Sequence, residues 1–429
     1  RQGSLPELCL RGVSVEIVHP RCAGLDVHKS NVVACVKVGG KKTTRTFKAY
    51  AEDLRSLGRW LTEEKVDTVV MESTGVYWKP IWNLLEAEFS NIQLVLANAE
   101  HVKQVPGRKT DVKDAEWLAD LHSCGLIRGS RVPERAERET NELLRARRKL
   151  TEERTRIVTR IQSYLEGANL KLSNVVTDIT GKAGMAVLRA VVGGETSAQE
   201  LVKLTNTGLK AKPAEIQAAL ENSVGPHQRI LLKVQLTVLE SLDDAISMLD
   251  KEVEERMRPF EDVVRRLDEI PGISRRNAQE ILGYAGPTLE DFPTAGHLAA
   301  WAGLCPGNSI SAGKASKRKA RKGNSWLKGV MVEAAWPAIR TRTSYFRDLY
   351  YRKKATRGAQ KAIVAVAHAI LTTIYYMVRR GTVYQDLGTN YHKLQNRERV
   401  LKRRVKELAS LGYEVLIRDF QPGIEALAS

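Results

Sequence analysis

Strand-like sequence near the N-terminal end constrains the fold most. Residues 22–38, CAGLDVHKSNVVACVKV, are rich in β-branched residues and alternate in polarity, and Gly39 and Gly40 close the run. With TTRTFKAY following the two glycines at residues 43–50, this pattern predicts hairpin strands. Helix-like and strand-like segments then alternate as far as residue 127. Hairpin strands followed by such an alternation predict an α/β domain with a mixed sheet.

The later elements of this domain follow from periodicity and length. We expect a helix over 51–65, the buried strand DTVVMES at 67–73, an amphipathic helix over 76–89, the strand IQLVLAN at 92–98 and a helix over 110–127. The strands have the short apolar runs, and the helices the 3.6-residue spacing, that separate the two kinds of element.

Four carboxylates in this predicted domain suggest a site for divalent metal ions. Asp26 stands in an apolar strand, where a charge is costly unless it is paired or bound to a metal. Glu72 ends a buried strand, where side chains of α/β sheets face the ligand crevice. Asp111 and Asp114 are three apart and share one helix face. Four such carboxylates suit Mg²⁺ or Mn²⁺, and a pair of these ions can promote phosphodiester chemistry.

Three of the acids also have ordinary explanations. Asp111 could cap a helix with Asp114 in its first turn, and Glu72 could cap the helix that follows it. All four acids in this order favour the metal hypothesis. His28 has no expected partner at ligand spacing, so we interpret it as a polar residue at a strand end.

The charge distribution indicates a polyanionic partner. The chain has 429 residues, which is long enough for two or three domains. Hydrophobic residues make up 43% of it, enough to bury cores, and its formal net charge is +18. From Lys314 to Lys361, 15 lysines and arginines stand against Glu333 and Asp348. A basic field this concentrated usually attracts nucleic acid, and a solvated surface is the alternative.

Several other classes of protein are disfavoured. The five cysteines include no CxxC or Cys/His pair at zinc spacing, which argues against structural zinc and suits a reducing cytosol. We expect no segment with the ~20 apolar residues of a membrane span. Residues 1–12 lack the apolar core of a signal peptide.

Two long helical patterns occupy the middle of the chain. Residues 134–165 form a charged pattern with regularly spaced apolar residues. Residues 171–226 are expected to form short helices and loops. A second long helix carries a heptad seam typical of a coiled coil. Its seam residues are Leu232, Leu239, Leu242, Ile246, Leu249 and Val253. The seam either joins two protomers or closes a helical hairpin within one chain.

A helix, a PGI turn and a second helix are predicted over residues 267–286, LDEIPGISRRNAQEILGYAG. The pattern resembles a helix–hairpin–helix, whose turn amides and second-helix N-terminus can meet a DNA phosphate. An ordinary helical hairpin is the alternative.

The stretch PGNSISAGKASKRKARKGN, residues 306–324, combines two serines with a basic run. A nucleotide-binding P-loop is excluded, because five residues separate Gly307 from Gly313 and Ala315 follows Lys314. A free basic tail is disfavoured by the apolar segments on both sides. A serine nucleophile beside a DNA backbone is the third interpretation, since cations attract phosphate and favour the alkoxide.

Three motifs resemble those of a known protein family. The order of GLDVHKS, MESTGVYW and TDVKDAEWLADL resembles the RuvC-like, ribonuclease-H-type domain of the DEDD transposases of bacterial insertion sequences. More narrowly, the chain is similar to the group that carries a catalytic serine in a second domain and is guided by a bridge RNA. AWAGLCPGNSISAGK followed by RKGNSWLK is similar to the motif of that second domain. The resemblance covers residues 22–381.

The resemblance implies roles for the site residues. Asp26, Glu72, Asp111 and Asp114 match the four metal-binding acids. Ser311, just before the small-Gly pair, matches the nucleophile, and Ser309 is the reserve candidate. Nucleic-acid contacts are expected from Lys314, Lys317, Arg318, Lys319, Arg321 and Lys322.

The implied function is site-specific DNA recombination by transesterification. The implied partners are double-stranded donor and target DNA, a bridge RNA and further copies of the chain, as a dimer or tetramer, in a prokaryotic cytoplasm at the nucleoid and not at a membrane. The alternatives are a RuvC-like nuclease that hydrolyses DNA with water, and an inactive nucleic-acid-binding protein.

The expected architecture is α/β plus α. We expect an extension at 1–21, the RuvC-like domain at 22–130, a helical or coiled-coil region at 131–260, the mostly helical serine-containing domain at 261–385 and a helical tail at 386–429.

Overall fold

The computed structural model divides the chain into two compact units, Arg1–Arg135 and Ala136–Ser429. It describes residues 7–10, 13–72, 75–98, 102, 114–195, 197–205, 213–221, 224–306, 310–311, 314–315, 323–389, 391 and 397–416.

A five-stranded mixed sheet organises the first unit, with the spatial order β5-β4-β3-β6-β7. Its strands are β3 (Arg21–Val27), β4 (Asn31–Val38), β5 (Lys41–Lys48), β6 (Thr68–Glu72) and β7 (Gln93–Ala97). The first three strands pair antiparallel, and β6 and β7 join parallel to β3 and to each other. The predicted mixed sheet is confirmed. A separate hairpin, β1 (Glu7–Leu10) with β2 (Val13–Glu16), precedes it.

Helices lie against both faces of this sheet. They are α1 (Ala51–Glu63), α2 (Trp78–Glu88) and α3 (Asp114–Ser123). Because side chains alternate along a strand, Ala23, Leu25 and Val27 of β3 point to one face, where they share a core with residues of α1 and α2. The residues between them point to the other face, against α3. The expected helix over 110–127 is found over its middle part, and residues 103–113 lie outside the described part of the chain.

Among the described residues of the second unit, the only strands are the short β8 (Ile310–Ser311) and β9 (Lys314–Ala315), and the other regular elements are helical. Its helices are α4 (Arg135–Gly167, from the last residue of the first unit), α5 (Leu172–Val175), α6 (Lys182–Gly193), α7 (Ala198–Leu204), α8 (Pro213–Leu220), α9 (Pro226–Met257), α10 (Glu261–Asp268), α11 (Arg275–Ala285), α12 (Ala295–Trp301), α13 (Ser325–Ala338), α14 (Tyr345–Arg357), α15 (Ala359–Arg380) and α16 (Arg397–Ser410). The short helices expected over 171–226 are α5 to α8. The α/β-plus-α prediction is therefore confirmed.

The long helices α4 and α9 form an antiparallel hairpin. Ion pairs join Arg256 to Glu139, Arg147 to Asp250 and Arg154 to Asp243, so that the chain positions run in opposite directions along the two helices. Of the predicted seam, Leu232, Leu239, Ile246 and Val253 are buried within this chain. The described seam therefore closes against the chain's own helices, as the hairpin alternative predicts.

Helix α15 is the most apolar long helix of the described chain. It is 22 residues long, with a mean hydropathy of 1.5 over its most apolar window, so its length and composition would suit a membrane span. Half of that window is buried in the fold, in the same core cluster as residues of α13 and α14. The expectation of no run of ~20 apolar residues still holds, because α15 contains Lys361 and His368, and a core helix surrounded by other helices reaches a similar mean hydropathy.

The predicted helix, PGI turn and second helix are present as α10, the turn at Pro271–Ile273 and α11. Gly272 in the turn has a φ of 87°, and a Cβ atom there would lie 2.2 Å from the Ala334 carbonyl oxygen of α13. Ser274 caps α11 by accepting a hydrogen bond from the Asn277 amide. This turn therefore needs glycine both for its backbone conformation and for its packing.

Candidate functional site

Asp26 and Glu72 lie at the same edge of the sheet. Asp26 is the penultimate residue of β3, and Glu72 is the last residue of β6. These strands run parallel, and Leu25 and Met71 are their last paired residues, so Asp26 and Glu72 follow side by side. Neighbouring strands are about 4.8 Å apart. The two acidic residues are therefore neighbours at this edge of the sheet.

The two acids also share a face of the sheet. Gly24 and Asp26 point to one side of β3, and Val70 and Glu72 to one side of β6, because residues two apart share a face. A Cβ atom on Gly24 would lie 2.3 Å from the Ala115 carbonyl oxygen of α3. Val70 packs in a cluster with residues of the same helix. Both acids therefore point to the side of the sheet that α3 covers.

Helix α3 carries the third described acid to this edge. The Cys22 Sγ lies 3.6 Å from the Ala119 carbonyl oxygen, and Gly24 meets Ala115. Moving along β3 toward Asp26 therefore leads backward along α3 toward its first residue, Asp114. The exposed Asp114 begins the helix on the same face and at the same edge as the other two acids.

The fourth predicted acid, Asp111, lies outside the described residues. Within the described part of the chain, no group of three or more His, Cys, Asp or Glu side chains is arranged to hold a metal ion. The donors that are described fit a hard divalent cation by type, because they are carboxylates at the open edge of a sheet.

His28 has a partner that sequence reasoning missed. Its Nε2 lies 2.9 Å from the Asp26 Oδ2, with the His28 side chain 54% exposed. The two residues are brought together by the β3–β4 turn, in which the His28 amide donates to the Asn31 carbonyl oxygen. The expected polar role at the strand end agrees with this contact, since His28 directly follows β3.

A buried ion pair fixes α3 on the sheet. Lys37 of β4 is 2% exposed, and its Nζ donates to the Asp120 Oδ1 at 2.8 Å and to the Ser123 Oγ at 2.9 Å. Lys42 donates to the other Asp120 oxygen at 2.6 Å. A lysine in an apolar strand needs such a carboxylate partner. The presence of Lys37 in an apolar strand was therefore the one sign in the sequence that such a contact exists.

In the second unit, Ser311 lies in a tight hairpin. Ser311 of β8 and Lys314 of β9 are partners in an antiparallel pair, with two residues between them. The described backbone therefore sets the predicted nucleophile position opposite the first lysine of the basic run. Ser309, Lys317, Arg318, Lys319, Arg321 and Lys322 lie outside the described residues.

The two sides of the serine-containing stretch meet at its base. The Asn324 amide donates to the Trp301 carbonyl oxygen at 2.9 Å. A Cβ atom on Gly323 would lie 2.4 Å from the Gly303 nitrogen, which leaves no room for a side chain. The backbone at Trp301 and Gly303 is therefore in contact with the backbone at Gly323 and Asn324.

Comparisons with known proteins cover both units. A family model for DEDD transposases of the IS110 type matches residues 23–170, and a model for transposases of the IS116/IS110/IS902 family matches residues 264–351. The chain is 33% identical over 129 residues to the insertion element IS110 uncharacterized 43.6 kDa protein of Streptomyces coelicolor, a match that covers 28% of this chain and 30% of that protein. It is 23% identical over 332 residues to the transposase for insertion sequence element IS1111A of Coxiella burnetii, covering 75% of this chain and 80% of that protein.

The chain belongs to the IS110 family of DEDD transposases. The resemblance found from three short motifs is thereby confirmed. The IS110-type DEDD model spans all four predicted acids, and the second IS110-family model spans both candidate serines and the basic run. The first matched region extends from the sheet through α4. Helix α9 lies between the two matched regions.

Proposed function

We propose that this IS110-family chain cuts and rejoins DNA strands by transesterification through Ser311. The observation that carries the proposal is the meeting of Asp26, Glu72 and the start of α3 at one edge and on one face of a mixed sheet. Carboxylates converging in this way suit an enzyme that acts on phosphodiesters. The membership of the chain in a family of DNA transposases supports the same chemistry.

Asp26, Glu72, Asp111 and Asp114 would hold Mg²⁺ or Mn²⁺. When bound, such ions neutralise charge on a phosphate and stabilise the attacking and leaving oxygens. Helix α3 serves this set by bringing Asp114 to the two strand ends, and the Lys37–Asp120 ion pair keeps α3 in place. His28, in contact with Asp26, orients that carboxylate.

The reaction itself is an exchange of phosphoester bonds. The Ser311 oxygen attacks phosphorus and loses its proton, the bridging P–O bond breaks, and the leaving DNA oxygen takes up a proton. A free hydroxyl on another strand then attacks the phosphoserine and releases Ser311. Because each broken P–O bond is replaced by another, no nucleotide hydrolysis is required.

Cations near Ser311 support its role. Lys314 is its backbone partner in the hairpin, and the basic run follows Lys314 in the sequence. Positive charge there attracts the DNA phosphate and lowers the cost of an alkoxide. Lys317, Arg318, Lys319, Arg321 and Lys322 would contact the DNA backbone.

Further partners belong to the same proposal. A bridge RNA would supply the target sequence, with the protein working in the cytoplasm at the nucleoid. A dimer or tetramer would form through α9, whose seam is already used within the chain but whose other side exposes apolar residues. These are Ile230, Val234, Val238 and Met248, exposed by 65%, 52%, 39% and 72%.

The deciding experiment traps reacting DNA under denaturing conditions. The full chain is incubated with donor and target DNA, Mg²⁺ and co-purified RNA, and then denatured and separated by size. A transposase of the proposed type leaves a covalent protein–DNA adduct. Cleavage without an adduct would instead assign hydrolysis by water, and retained binding without cleavage would assign an inactive binder.

A further inference from the structure

Helices α13 and α14 carry a row of three aromatic side chains whose two end members are exposed. Trp336 is 43% exposed and Tyr351 is 52% exposed, whereas Tyr350 between them is buried. The Trp336 and Tyr350 ring centroids are 6.3 Å apart, and those of Tyr350 and Tyr351 are 5.3 Å apart. The row is therefore continuous, with a flat residue open to solvent at each end.

Cations of α14 lie over this row. The Arg347 guanidinium is 5.2 Å from the Tyr351 ring centroid, and the Lys354 Nζ is 5.8 Å from the Tyr350 centroid. The spacing of three and four residues puts these side chains on one side of the helix. Contact with an aromatic face holds each cation in place at the surface. We call Trp336, Arg347, Tyr350, Tyr351 and Lys354 the aromatic–cationic surface.

The charge of α14 makes this surface attractive to polyanions. The helix carries five cations and a single acid, Asp348. Its cations are Arg347, Arg352, Lys353, Lys354 and Arg357. A phosphate backbone that follows the helix would therefore meet positive charge along most of its length.

The exposed rings select among polyanions. Bases in a duplex stack on each other and offer no free face to Trp336 or Tyr351. An acidic protein surface would satisfy the cations and gain nothing from the flat rings. Unpaired nucleotides can contact both the exposed rings and the cations, because their bases stack on aromatic faces while their phosphates meet the positive charges.

We infer that the aromatic–cationic surface binds unpaired DNA. Strand exchange frees unpaired DNA from a duplex, so the inference rests on the proposed function for the source of the strand. It assigns to α13 and α14 a contact with bases, whereas the basic run after Ser311 contacts the phosphates near the cut.

Photo-crosslinking of the full chain tests this directly. The probe is a single-stranded DNA of about 12 nucleotides carrying 5-iododeoxyuridine, within the range bound by known single-strand sites. After irradiation and protease digestion, mass spectrometry identifies the crosslinked residues. We expect Trp336 or Tyr351 to carry the nucleotide. Crosslinks confined to other residues would overturn the inference.

Affinity measurements give an independent readout. Trp336→Ala/Tyr351→Ala should weaken binding of the single strand by about thirtyfold or more, because two stacking rings are removed, and should leave duplex binding nearly unchanged. The matched control is Tyr376→Ala, which removes a 43% exposed tyrosine with the Arg380 guanidinium 4.7 Å from its ring on α15. Circular dichroism checks that each variant is folded.

The outcomes separate the inference from the proposed function. Equal weakening with Tyr376→Ala, or no weakening in the double variant, would overturn the inference and leave strand cleavage untouched. Tighter binding of a matched RNA strand at the same residues would overturn the assignment to DNA. If neither duplex nor single strand is bound, both the inference and the proposed function fail.

Discussion

Gly24 of β3 lies against Ala115 of α3 so closely that a Cβ atom on Gly24 would stand 2.3 Å from the Ala115 carbonyl oxygen. The next residue on the same face of β3 is Asp26, and the residue before Ala115 is Asp114. The close approach of strand and helix is therefore what brings two of the predicted acids to one edge. Glycine in the GLDVHK motif has a packing reason that does not depend on catalysis.

Gly24→Ala should destabilise the first unit. The added methyl group meets backbone atoms that cannot move aside independently, so we expect the free energy of unfolding to fall by about 1–3 kcal/mol or more. Gly167→Ala is the control, since a Cβ there has no heavy atom within 4 Å. Urea unfolding measures both variants. Equal stability of the two would show that α3 does not pack on β3 as described.

Replacement of any one of the predicted acids by Ala should abolish metal-dependent strand cleavage. The variants are Asp26→Ala, Glu72→Ala, Asp111→Ala and Asp114→Ala. DNA binding should largely survive, because the basic run supplies most of the attraction. The control is Glu63→Ala, an exposed carboxylate of α1. Full cleavage by Asp114→Ala with EDTA present would rule out the metal proposal.

His122 should make the first unit sensitive to acid. Burial, together with the nearby His19, lowers the pKa of His122 from 6.5 to about 4. Because the folded pKa is the lower one, the stabilising contribution is complete above pH 6.5 and is lost as the pH falls toward 4. The free energy of unfolding should decline by up to about 1.4 kcal/mol per pH unit from this group.

The variant His122→Gln isolates that contribution. It keeps a polar group near the Thr68 hydroxyl, which lies 2.9 Å from the His122 Nε2, and removes the titration. The unfolding free energy of the parent minus that of the variant, measured in urea from pH 7 to pH 5, should fall as the pH falls. A constant difference would mean that His122 keeps an ordinary pKa.

DNA affinity should depend on salt through the basic run. Removing one phosphate contact should lower the slope of log affinity against log salt by about 0.9. Neutralising Lys317, Arg318, Lys319, Arg321 and Lys322 together should therefore flatten the salt dependence, whereas Lys203→Ala, a 68% exposed lysine on α7, should not. Fluorescence anisotropy at several salt concentrations measures the slope. An unchanged slope would make the run a solvated surface.

Much of the site could be predicted from the sequence because it depends on local pattern. Apolar alternation placed Asp26 in a strand and Glu72 at a strand end, and both positions are confirmed. The contacts of His28 with Asp26 and of Lys37 with Asp120 could not be predicted, because they join residues across a turn or between distant elements.

The longer elements show a second limit. A heptad seam such as that of α9 indicates which residues are buried but not which chain buries them. The ion pairs with α4 in the structure identify the partner helix. Helix α15 resembled a membrane span for the same reason, since composition does not distinguish a lipid environment from a protein core.

The identity of the residue that carries DNA is the sharpest test of the serine mechanism. The trapped protein–DNA adduct is digested with protease, and mass spectrometry locates the modified side chain. We predict the adduct on Ser311, its disappearance in Ser311→Ala with DNA binding intact, and at most weakened activity in Ser309→Ala. An adduct on Ser309 would move the nucleophile by two positions and keep the mechanism, whereas strand cleavage by the double Ser309→Ala/Ser311→Ala variant would contradict the serine mechanism.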